Sequence, residues 1–62
     1  MKNNLEQYNE KTIKVATTYG KIYVGECFVE YDDETNEPYL TIEEEFVIQA
    51  VFEKEIKSIE II

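Results

Sequence analysis

At 62 residues, 44% apolar and 32% charged, the chain holds one small domain and has no room for a second. Fourteen carboxylates face six lysines, with no arginine or histidine, for a formal net charge of −8, and the ten carboxylates from Ile22 to Glu53 meet no basic residue. That field opposes phosphate-rich nucleic acid and anionic membrane surfaces, and one cysteine without histidine excludes a disulfide or a zinc staple within the chain.

In chain order, Leu5 and Tyr8 stand three apart in residues 1–10, which predicts a short docked helix or a frayed segment. Lys11 to Thr18 alternates, with Ile13, Val15 and Thr17 against Lys14, Ala16 and Thr18, and reads as a first strand. Tyr19-Gly20 marks a hairpin turn, because glycine takes φ > 0 without steric cost. From Lys21 to Asp32 a long second strand sets Tyr23, Cys27, Val29 and Tyr31 on one face. Ile22, Val24 and Phe28 share the other with Glu26 and Glu30. Gly25 in its middle signals a bend or a close backbone approach.

Asp32 to Pro38 is a charged, exposed loop without an apolar side chain other than the proline ring. Tyr39 to Glu43 gives a third strand with Leu40 and Ile42 on one side, and Glu43-Glu44-Glu45 turns the chain without glycine. Phe46 to Phe52 is a fourth strand, with Phe46, Ile48, Ala50 and Phe52 on one face and Val47, Gln49 and Val51 on the other. A tight turn at Glu53-Lys54-Glu55 leads to a fifth strand, Ile56 to Ile62, in which Ile59 and Ile61 point together. Five strands, one long and bent, are housed most economically in an all-β, partly open barrel of the SH3 or Sm type over residues 11–62, since closure removes sheet edge.

Residues 11–62 resemble the Sm-like family of ring-forming, RNA-associated β-barrels. Ile13, Val15, Gly20, Tyr23, Gly25, Cys27, Tyr31 and Asp32 are similar to the family's first motif, with one extra residue between Gly25 and Asp32. Val51, Ile56 and Ile59 stand where its second motif has aliphatics, but the arginine and glycine of RNA-binding members are replaced by Phe52 and Glu53. Tyr23, Asp32 and Asn36 echo the family's RNA site, although Glu37, Pro38 and Tyr39 interrupt the match. The resemblance implies a ring in which the fourth strand of one copy pairs with the fifth of the next, using Phe46, Val47, Ile48, Val51, Phe52, Ile59, Ile61 and Ile62.

Energetics also point to self-association. Burying roughly 6,000 Å² on folding, about 60% apolar, contributes on the order of 90 kcal/mol, and ordering the chain at about 1.5 kcal/mol per residue costs nearly the same. The expected function is a non-enzymatic, cytoplasmic homo-oligomer without cofactor or metal that acts as a protein-interaction or assembly module. Glu30, Asp32, Asp33, Glu34, Glu37, Glu43, Glu44 and Glu45 form its expected acidic surface, suited to a basic protein partner. Two alternatives are an acidic inhibitor that mimics nucleic acid and an RNA-associated Sm-like ring. Catalysis is not expected, because Cys27 has no histidine to activate it and so small a barrel offers no deep cleft. The Asp32–Glu37 loop lacks the calcium-loop pattern and reads as solvated, and Tyr19, Tyr23, Tyr31 and Tyr39 read as core or interface packing rather than base-stacking platforms.

Overall fold

The alternating stretches become five strands in a computed structural model that describes residues 5–62: β1 Thr12–Thr17, β2 Ile22–Tyr31, β3 Pro38–Glu44, β4 Val47–Phe52 and β5 Ile56–Ile61. They form one open antiparallel sheet in the order β4-β3-β2-β1-β5. A 3-10 helix at Leu5–Tyr8 precedes the sheet and another at Glu53–Glu55 joins β4 to β5. The expectation for residues 1–4 lies outside the described residues. Leu5 is only 3% exposed and Tyr8 packs on the core, so the spacing of three places both on a docked face.

The expected β1–β2 turn is present. Gly20 has φ +88°, and the Thr17 hydroxyl both donates to the Lys21 carbonyl and accepts the Lys21 N–H, which satisfies a buried polar side chain at the turn.

β2 serves two partners in succession. Ile22 to Glu26 pairs with β1 and Glu26 to Tyr31 pairs with β3, so the two ladders overlap at a single residue. Beside that overlap sits Gly25. A Cβ there would overlap the Glu43 carbonyl oxygen, lie 2.9 Å from its carbon and press 3.2 Å from Ile42 Cγ2. Close backbone approach, not a left-handed φ, is what calls for glycine at this position.

In a flat sheet β4 and β5 would stand about 19 Å apart, four strand spacings. Here Val51 of β4 shares one apolar cluster with Leu5, Ile13, Val15, Cys27, Leu40 and Ile42, and Ile56 and Ile59 of β5 pack against it. The sheet is therefore curled, which agrees with near-equal dimensions of 28 × 22 × 21 Å.

Two expectations about the third and fourth strands are corrected. β3 runs on to Glu44, and the turn is Glu45-Phe46, so Phe46 is a turn residue, 96% exposed, and not part of β4. Packing Leu40 opposite Val51 and Ile42 opposite Gln49 sets a register that leaves only two residues to cross between the strands. The inward face of β4 is consequently the one bearing Gln49 and Val51, while Ile48 and Ala50 point out.

Replacing Gly25 with alanine should lower unfolding stability by about 3 kcal/mol, the upper range for inserting atoms where backbone cannot yield. Urea denaturation checks this, and a loss below about 0.5 kcal/mol would show that the approach of β3 is not constrained there.

Candidate functional site

The eight carboxylates expected to form one acidic surface are divided between the ends of β3. Asp32, Asp33, Glu34 and Glu37 lie in the β2–β3 loop, whereas Glu43, Glu44 and Glu45 lie at the β3–β4 tip, roughly 20 Å away along an extended strand. Glu30 is exposed near the loop end of β2. Extended backbone separates groups that are near in sequence.

The loop is built by its own hydrogen bonds. Asp32 Oδ1 accepts from the Glu34 and Thr35 N–H groups at 2.8 and 3.1 Å, the Asp32 carbonyl accepts from Asn36 N–H, and Asn36 takes φ 61°. The Thr35 and Glu34 donors hold the Asp32 carboxylate below its ordinary range. This loop meets the second 3-10 helix across a groove of about 240 Å³ lined by Glu37, Pro38, Phe52, Glu53 and Lys54. Two carboxylates and one ammonium cannot form a phosphate cradle. Tyr23 lies at the opposite end of β2 from Asp32 and Asn36, so the three residues of the expected RNA echo do not form one site.

The tyrosines hold structural positions. Tyr31 donates its hydroxyl to Glu6, tying the first 3-10 helix to the end of β2, and this bond pushes the phenol's pKa up. Tyr39 and Phe52, paired across β3 and β4, hold their rings 4.9 Å apart. Tyr19 is exposed, outside the core of the subunit, and its hydroxyl pKa is raised chiefly by a hydrogen bond with Tyr23.

Of the expected interface residues, Val51 is buried in the core and is withdrawn from any free surface; Phe52 and Ile59 are half-buried. Phe46, Val47, Ile48, Ile61 and Ile62 are exposed. Both sheet edges are open: neither β4 nor β5 has an outer strand neighbour among the described residues. The Ile62 N–H donates to the Thr12 carbonyl. Antiparallel alternation then turns the backbone groups of Ile59 and Ile61 away from β1, and the β3–β4 register does the same for Ile48 and Ala50.

The β3–β4 tip contains a contact that sequence reasoning did not find. The Val24 N–H donates to Glu44 Oε2 at 3.2 Å, taking a carboxylate where β3 has already turned away. Glu26 stands directly opposite Glu43 in the β2–β3 register, and Ile48 stands opposite Glu43 on its other side. No local signal in the sequence could reveal these pairs, because they depend on register. Cys27 is fully buried, and burial pushes its thiol up to about 11. Among the described residues no helix is long and apolar enough to cross a membrane. No family model, curated protein or solved structure matches the chain.

The thiol gives a pH dependence with a definite sign. An acid whose pKa is raised by folding contributes stability that is present below its unfolded value near 9 and is lost as pH climbs toward about 11. The stability difference between the wild type and Cys27→Val should therefore shrink over that interval, as read from urea midpoints. A constant difference would mean that Cys27 ionises in the folded protein as freely as in the unfolded one.

Proposed function

We propose that this chain is the subunit of a strongly bent, Sm-like barrel that assembles with its own copies through the edges of its sheet. It serves without catalysis as an acidic protein-interaction or assembly module, and it does not bind nucleic acid directly. The observation that carries this reading is the pair of open edges on a curled sheet, with β4 and β5 at its two ends. The outward backbone groups of Ile48 and Ala50 on one edge are complementary to those of Ile59 and Ile61 on the other. Each copy offers one β4 and one β5 edge, so pairing them head to tail repeats a single contact and closes into a ring when the rotation permits.

The absence of a nucleic-acid role rests on electrostatics. Where RNA-binding members of the resembled family carry arginine beside the loop, this chain has Phe52 and Glu53 facing Glu37. Phosphates would meet two carboxylates and the single ammonium of Lys54 in place of a set of cations whose released counterions drive association.

Light scattering at micromolar concentration should give a multiple of the 7.3 kDa subunit mass. Ala50 is exposed and its N–H faces the open edge, a setting in which an edge strand accepts proline. Ala50→Pro should accordingly yield monomers that keep their β-sheet circular dichroism. A wild-type mass of about one subunit, or an oligomer indifferent to this substitution, would overturn edge pairing. Fluorescence anisotropy should detect no binding of oligo-U, oligo-A or duplex DNA at about 0.15 M salt, where nearby charges are still felt. Salt-sensitive micromolar binding would return the chain to an RNA role.

A further inference from the structure

Phe46 occupies a position for which the fold gives no reason. A two-residue hairpin loop is normally closed by glycine, asparagine or aspartate with φ > 0, yet Glu45 and Phe46 are not among the residues with positive φ. The ring adds nothing to the core at 96% exposure. Water therefore surrounds a large apolar side chain that neither closes the turn nor packs within the subunit.

Its surroundings are acidic and fixed. Glu43, Glu44, Glu45, Phe46, Val47 and Ile48 line a shallow groove of about 280 Å³ at the tip. Glu44 is anchored by the Val24 N–H, which holds the tip against β2. Glu43 and Glu45 are exposed, and Glu26 faces Glu43 directly across the β2–β3 ladder. Like charges in that relation destabilise a sheet, and an incoming cation would relieve the repulsion.

We propose that the β3–β4 tip is a docking site for a cationic amphipathic segment of a protein partner. Phe46 and Ile48 supply the apolar anchor, and Glu26, Glu43 and Glu45 receive its lysine or arginine side chains. An aromatic at the centre of a contact rimmed by charges is the arrangement that concentrates binding energy. The carboxylates disfavour a second copy of the tip, since a symmetric tip-to-tip contact would press Glu43 and Glu45 against their own equivalents. They also disfavour an anionic bilayer. This inference rests on reading the chain as a protein-interaction module, and it does not depend on self-assembly through β4 and β5.

The test uses the ¹⁵N-labelled full chain and two 18-residue helical peptides, one of leucine and lysine at amphipathic spacing and one with glutamate replacing lysine. The cationic peptide should bind saturably, with amide shift changes centred on Glu43 to Ile48 and on Val24 and Glu26, and with affinity falling from roughly 0.05 to 0.5 M salt. Phe46→Ser should weaken binding at least about tenfold, as expected from withdrawing an aromatic that the partner would bury, without changing the fold or the oligomeric mass. Glu43→Lys should raise the urea midpoint and yet weaken binding, a split that a purely structural residue would not produce. Shifts spread over every acidic surface, an unchanged affinity in Phe46→Ser, or equal binding of the acidic peptide would overturn the proposal. So would dissociation of the oligomer by Phe46→Ser, which would assign the tip to contacts between copies, whereas failure of Ala50→Pro to give monomers would count against edge pairing alone.

Discussion

The Glu43 carbonyl occupies the space a side chain on residue 25 would need. Because residue 25 is glycine, β3 can close on the middle of β2 at the point where β2 exchanges β1 for β3 as its partner. That closeness brings Ile13 and Val15 from one side, and Leu40 and Ile42 from the other, into one dry cluster with Cys27. A domain this small has few apolar residues to bury, so a sheet held flat at that point would divide them into patches too small to exclude water. The core depends on a backbone contact that only the absence of Cβ allows.

Curling a sheet this tightly brings ladders to an end before their strands do, and side chains take over where backbone partners leave. Asn9 Oδ1 accepts the Val29 N–H beside a short backbone pairing of Glu10 and Lys11 with Cys27. Glu44 accepts from Val24 and Glu55 from Phe52 in the same manner. Each removes the cost of a backbone N–H without a partner, in the range of about 1–3 kcal/mol when buried and less where water has access. No buried side-chain nitrogen or oxygen is left without a hydrogen bond among the described residues. On the outer edge of β4 Glu55 covers only the Phe52 end, and neither β4 nor β5 has an outer strand neighbour among the described residues.

Charge has a different distribution from polarity. The carboxylates gather at both ends of β3, one group ordered by Asp32 and the other set around Phe46. At the first end, backbone N–H groups satisfy an acid and make a rigid loop. At the second, Glu26 stands opposite Glu43 across the ladder, beside an exposed aromatic.

Much of the local structure was legible without coordinates. Alternation in Lys11 to Thr18 separated Ile13 and Val15 from the outward face, Gly20 marked the turn, and the spacing of Leu5 and Tyr8 put both on one side of a helical turn, because each is decided by the geometry of neighbouring residues along one strand or turn. Gly25 announced a close approach, though not what would approach. Register belongs to the tertiary structure. Val51 faces inward and Phe46 is expelled into the turn because Leu40 and Ile42 must meet particular residues of β4, a condition that the period of β4, apolar on both faces, leaves open. The same dependence sets Glu26 against Glu43: pairing across strands is settled by which side chains fill the shared core, and no stretch of sequence holds both partners of that choice.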